Sequence, residues 1–324
     1  MADQRTIDAV EASNADDLLR IVDRHCSAQA WDPLLELRRL LAAALTRGKQ
    51  LWGVDEHIRY RLALEAPARL AAEAVSEGPA RFALGPLTEV VATRHTFAEL
   101  SPHLEPGPNR SWVAQERVLR GEEVDPRGIE LGLIELPLRL EPWEAAYSEV
   151  TYKKDRVESE PPATTGLAAL QLPTDAEEVE DPGGRTALAA LVATWVEQSN
   201  GRATVVCAAG GLADAVRLVG VRKAMAASID LPVAAGLMAW AAASGGAHGR
   251  RRGGAAGRLA TWWVLAELTG SEWPPVPQHL RELIEPLEWW VWSDLGGSTG
   301  WNLSLAVHSP SEGLTWALAA ADAD

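Results

Sequence analysis

Apolar positions recur at helical spacing through the first hundred residues. Leu18, Leu19, Val22 and Cys26 share one face of a helix that Ser13 or Asn14 can cap. Asp32 followed by Pro33 supplies an N-cap and a first-turn proline for the run Leu34, Leu37, Leu41 and Leu45. A third helix from near Asp55 carries Ile58, Leu62 and Ala66 until Pro67 ends or kinks it. Short helices follow through Ala92, Thr96 to Glu99 has capping-box spacing, and Ser111 to Arg120 is helical up to Gly121. These segments predict packed antiparallel helices.

The period then changes. Leu131, Leu133, Leu136, Leu138 and Leu140 predict short extended pieces near 129–140, punctuated by Gly132, Pro137 and Pro142. Residues 153–185 bring Lys153-Lys154, Pro161-Pro162, an acidic run from Asp175 to Asp181 and Pro182-Gly183-Gly184, the composition of a linker or surface excursion. Beyond it, Thr186 to Gln198 is a helix, and Thr204 to Ala208 is a buried strand running into Gly210-Gly211 and a further helix. Asp230 opens an almost wholly apolar helix to Ala243, and Ala255 to Leu268 is a second one closed by Gly270. Helices apolar on all sides are buried, so this pair belongs at the centre of its domain.

The last forty residues alternate. Trp290 and Trp292, then Trp301, Leu303, Leu305 and Val307, then Leu314, Trp316 and Leu318 fall on strand faces and predict a three-stranded antiparallel meander. Trp289 and Trp290 then point to opposite faces, so at least one of them must be covered by something besides the main core, and a helix of the other domain or a partner would serve. The fold class expected is α+β, with buried helices packed on a small, mainly antiparallel, Trp-rich sheet. The domains expected are 1–152, mostly helical, and 186–324, joined through 153–185; a chain of 324 residues is long for one core.

A net charge of −15, from 45 acidic against 30 basic residues, excludes a surface built for general nucleic-acid or anionic-membrane binding. The N-terminus lacks a basic, then apolar, leader, and no run approaches the ~20 apolar residues of a spanning helix. Cys26 and Cys207 stand far apart in apolar segments, which excludes a disulfide framework or a CxxC zinc site and fits a reducing cytoplasm. Fourteen Trp against three Tyr and two Phe, most of the Trp after residue 239, concentrate large apolar side chains late in the chain.

One segment has the composition of a binding site. Ser244 to Arg258 places Gly245, Gly246, His248, Arg250, Arg251, Arg252 and Arg258 between the two apolar helices. Glycines let backbone N–H groups converge, a helix N-terminus follows, and guanidinium groups suit a phosphate or carboxylate. The competing reading is architectural: the glycines allow close helix packing and the arginines pair with the chain's own carboxylates. No phosphate-binding GK[ST] or dinucleotide GxGxxG pattern accompanies it.

Other matches are weaker. Gly296-Gly297-Ser298-Thr299-Gly300 fits GxSxG, but strands flank it and no acid separates Ser298 from His308, the last histidine. The other histidines, His25, His57, His95, His103, His248 and His279, have no metal-ligand spacing with it or with one another, so no metal and no cofactor are expected. Trp262-Trp263, Trp289, Trp290, Trp292, Trp301 and Trp316 could line a pocket for a flat ligand, although core packing accounts for their alternation. Arg47 to Arg61 mixes both charges around Trp52, as a solvated inter-helix turn does.

The run Trp31 to Arg39 (WDPLLELRR), the stretches 47–71 (RGKQLWGVDEHIRYRLALEAPARLA) and 77–92 (EGPARFALGPLTEVVA) and the loop SGGAHGRRRGGAAGR resemble an uncharacterised family of actinobacterial cytoplasmic proteins of unknown function. The resemblance spans most of the chain. It implies a bacterial cytoplasmic setting and carries no activity, cofactor or catalytic residue.

Two functional expectations follow. In the first, a non-enzymatic protein binds a protein partner or a small anionic ligand through the 244–258 loop. In the second, an enzyme clamps a phosphorylated or nucleotide-like substrate with the same arginines and uses His248 as acid or base, which needs Asp230, Glu267 or Asp294 nearby.

Overall fold

The computed structural model describes residues 3–129, 134–144, 147–294 and 300–323. The chain divides into two compact units. Unit 1 comprises Met1–Arg117, Arg127–Glu130 and Thr151–Glu158, and unit 2 comprises Val118–Pro126, Leu131–Val150 and Ser159–Asp324.

Unit 1 is helical: α1 (Gln4–Glu11), α2 (Ala15–Ser27), α3 (Trp31–Thr46), α4 (Trp52–Glu65), α5 (Ala68–Ser76), α6 (Leu87–Ala92), α7 (Phe97–Leu100) and α8 (Pro108–Val118), with a small ribbon of β1 (Thr151–Tyr152) and β2 (Val157–Glu158). Asn14 caps α2 by accepting from the Asp17 amide at 3.2 Å, and Thr96 and Glu99 close a capping box on α7. Pro67 separates α4 from α5. The start of α3 differs from expectation, for Ala30 occupies the N-cap without a side-chain bond and Trp31 opens the helix. Helix α1, capped by Asp3, is an addition to the helices expected from the sequence. The periodic apolar residues meet in one cluster, in which Leu18, Val22, Leu34, Leu37, Leu41 and Ile58 are fully enclosed.

Unit 2 carries a seven-stranded, wholly antiparallel sheet of β3 (Ala168–Leu170), β4 (Glu177–Glu178), β5 (Arg202–Ala209), β6 (Ala224–Ile229), β7 (Glu288–Asp294), β8 (Trp301–Ser309) and β9 (Leu314–Asp322), in the order β3-β6-β7-β8-β9-β5-β4. The chain is therefore α+β, with helices early and sheet late. The last three strands pair consecutively, as the alternation requires. One register row runs Val206, Ala317, Ala306, Trp290, Ser228 across five strands. The segment 153–185 contributes both edge strands of the sheet, and the expected strands near 129–140 do not appear among the described residues, Leu131 and Leu133 lying outside them.

Helices α9 (Pro182–Ala190), α10 (Ala193–Gln198), α11 (Leu212–Leu218), α12 (Leu231–Ala243), α13 (Gly254–Thr269) and α14 (Pro277–Ile284) complete the unit. The helix expected from Thr186 to Gln198 is broken at Leu191-Val192 into α9 and α10. Helix α11 packs Ala215 and Val216 against Val206, Ala208, Trp292, Ala306 and Ala317. The cover expected from another domain or a partner is thus supplied within the unit. Trp289, on the opposite face, is 2% exposed. Helices α12 and α13 pair closely, and both are buried along most of their length.

Candidate functional site

Backbone amides of the loop between α12 and α13 bond to side chains from elsewhere in unit 2. The Ala247 amide donates to Asp322 Oδ2 at 2.7 Å, the His248 amide to Ser199 Oγ at 3.1 Å, and the Arg250 amide to Gln198 Oε1 at 3.2 Å. The Arg252 amide returns to the Ala243 carbonyl at 2.7 Å. Asp322 is 1% exposed and its other oxygen accepts from Ser199 Oγ at 3.0 Å. A carboxylate of the chain itself therefore takes up the Ala247 amide, and the other loop amides are met by Ser199, Gln198 and the Ala243 carbonyl. Gly246 is required here, since its φ is +68° and a Cβ would stand 2.1 Å from Asp322 Oδ2.

Arg258 is separated from the other arginines. It lies on α13 fully buried, donating from Nε to Glu144 Oε1 and from Nη2 to Glu144 Oε2, both at 2.7 Å. Its remaining donors reach the Pro137 carbonyl at 2.8 Å and the Arg139 carbonyl at 2.9 Å. Tyr147 Oη and Trp262 Nε1 also donate to Glu144 Oε1, at 2.6 and 3.0 Å. Burial pushes the Glu144 carboxyl upward, yet the bonds and charge of Arg258 outweigh it and hold the group below the ordinary carboxylate range. Burial, with the Glu144 charge beside it, pushes the Tyr147 hydroxyl well up. The network pins the segment 134–144 to α13.

That segment forms one wall of a cleft of about 400 Å3, lined by Glu135, Ala190, Arg252, Ala256, Leu259, Ala260, Trp263 and Trp273. Trp263 is 39% exposed and meets Trp273 edge-on, with ring centroids 5.3 Å apart. Adjacent residues on a helix diverge by about 100°, so with Trp262 in the core Trp263 is turned to the cleft. Arg252 is exposed, and among the described residues its guanidinium has neither an ion-pair nor a hydrogen-bond partner. The cleft thus joins an aromatic and aliphatic wall to one guanidinium and one carboxylate, a composition that recognises an apolar body bearing a polar head.

Of the predicted site residues, Arg252 lines this cleft. Gly245 and Gly246 pack beneath the loop, and Gly245 is buried against the Gly249 backbone. Arg251 reaches Ser159 Oγ at 3.5 Å, and Arg250 and His248 are exposed. His248 does not line this cleft. Asp230 caps the opposite end of α12, accepting from the Val233 amide at 2.9 Å. Sequence reasoning missed Glu135 and Trp273, which carry no local signal, and grouped Trp263 with core tryptophans.

Elsewhere, Gly296 to Thr299 lie outside the described residues. His95 and His308 bond backbone carbonyls at 3.0 Å. Among the described residues no group of His, Cys, Asp and Glu could hold a metal ion, and no helix is long and apolar enough to cross a membrane. In the 47–61 stretch Trp52 is 53% exposed, Arg47 pairs with Glu11 at 2.6 Å, and Arg59 and Arg61 are buried with partners.

The fold and the cleft together define an α+β protein with a ligand-sized, tryptophan-walled cleft in its sheet-bearing unit. The chain belongs to a family of unknown function, DUF6183, which matches residues 16–324. No curated protein and no solved structure matches it.

Proposed function

We propose that unit 2 binds a small anionic ligand with a flat apolar body, without chemistry upon it. The carrying observation is the exposed Trp263 together with Arg252, which has no partner among the described residues, in one cleft of about 400 Å3, a volume within the range of ligand sites. The body lies against Trp263, Trp273 and Leu259, and a carboxylate or phosphate pairs with Arg252. Glu135 repels a second anionic group and accepts from a hydroxyl or amine, which gives the ligand an orientation. The cytoplasm is the proposed setting, supported by two free, buried cysteines.

Titration with 1-naphthyl phosphate and 2-naphthoate, followed by ligand-observed NMR, tests the reading. Arg252→Ala weakens binding at least about tenfold, equivalent to ~1.4 kcal/mol, and Trp263→Ala does likewise. Equal affinity for 2-naphthol would remove the arginine from the account.

A further inference from the structure

The cleft of unit 2 sets two opposite charges in an otherwise apolar lining. Among the described residues that line it, Glu135 and Arg252 are the ionisable ones, and the rest are alanines, Leu259 and two tryptophans. Neither charge has an ion-pair or hydrogen-bond partner among the described residues, so the two do not pair with each other although they share one cleft. A ligand bearing only a carboxylate meets Arg252 but leaves Glu135 beside it as a like charge. One bearing only an amine has the converse problem at Arg252. A head group that carries both signs answers both residues at once.

The layout of the cleft orients such a ligand. Ala256, Leu259, Ala260 and Trp263 fall at helical spacing and form one face of α13, about 10 Å long at 1.5 Å per residue. Arg252 stands just ahead of that face, before Gly254 opens the helix. The bonds from Arg258 to the Pro137 and Arg139 carbonyls hold the segment that carries Glu135 beside the first two turns of α13. Trp263 and Trp273 stand toward the other end, their rings edge-on. The short side chains of Ala256 and Ala260 leave room between the charged end and the aromatic end.

We infer that the ligand is an aromatic amino acid in its zwitterionic form, its carboxylate on Arg252, its ammonium on Glu135 and its ring against Trp263 and Trp273. The inference rests on the reading of this cleft as an anion site and adds the second, cationic half of the head group.

The test uses the full chain and three ligands that share an indole: tryptophan, indole-3-propionate, which lacks the amine, and tryptamine, which lacks the carboxylate. Calorimetry and saturation-transfer NMR should show tryptophan binding at least about tenfold more tightly than either. Glu135→Gln should weaken tryptophan about tenfold and leave indole-3-propionate unchanged or tighter. Arg252→Ala should weaken tryptophan and the acid and spare tryptamine. Both side chains are exposed, so thermal melts of the variants should match the wild type and separate lost recognition from lost fold. Indole-3-propionate or 2-naphthoate binding at least as tightly as tryptophan, or a tryptophan affinity unmoved by Glu135→Gln, overturns the inference and leaves the anion site standing. If tryptophan, indole-3-propionate and 2-naphthoate all fail to bind saturably, the inference and the anion site fall together.

Discussion

Glu144 and Arg258 face each other with no side-chain surface left to water. Two charges removed from solvent are stable together only when every donor and acceptor is met, and here Pro137, Arg139, Tyr147 and Trp262 complete the set. Arg258→Met leaves a buried carboxylate without its cation and should cost about 3–5 kcal/mol in urea unfolding. Replacing Glu144 and Arg258 together by apolar residues should cost less than either single change. The pH dependence has a definite sign. Glu144 has a folded pKa depressed below its ordinary value of 4.5, so its stabilising contribution is complete above that value and is lost as pH falls through the folded pKa. Urea melts of the wild-type chain should therefore steepen in their loss of stability below pH 4.5, and the acid limb of Arg258→Met should be flatter.

Among the elements, α12 and α13 come into close contact at Gly257, where an added Cβ would lie 2.2 Å from the Ala239 carbonyl oxygen. Gly257→Ala must push the helices apart or bend one of them. A loss of about 1–3 kcal/mol by thermal or chemical unfolding is expected. This helix pair was legible in the sequence because a helix with no polar face has nowhere to go but the interior. The β7–β8–β9 meander was legible because large apolar residues alternate with small or polar ones. Strand β6 was not, since Ala224 to Ile229 is mostly small residues, with Met225 and Ile229 too far apart to make a clear alternation. Strands β3 and β4 are too short for any period to register, and their pairing depends on β6 and β5. The candidate cleft was half legible: Arg252 stood out by charge, but Glu135 and Trp273 are brought to it only by tertiary packing. The loop glycines leave room for close approach, and what approaches Gly245, Gly246 and Gly249 is Asp322 and the chain's own backbone.

At the scale of the whole molecule, each unit has its own core and one cysteine. Burial raises the thiol pKa of both Cys26 and Cys207 to about 11. The native chain at mildly alkaline pH should react with an aromatic disulfide reagent far more slowly than the urea-unfolded chain, which releases two equivalents. Labelling at intermediate urea, read by peptide mass, should show the two thiols becoming reactive at different concentrations, because separate cores open with separate free energies. Coincident labelling would mean that the units unfold as one.

The edges of the seven-stranded sheet have a consequence for how the protein behaves in a crowded solution. A sheet invites a neighbour to add a strand wherever a long run of backbone donors and acceptors faces outward. Here one rim ends in the short β3, preceded by Pro161 and Pro162, and the other in the two-residue β4, whose Glu177 and Glu178 are exposed. The two edge strands themselves offer little backbone to a second molecule, and the acidic one repels its own copy. Addition would have to reach past them to the stretches of β5 and β6 that they leave uncovered, so these two short strands make edge-to-edge growth harder at both ends.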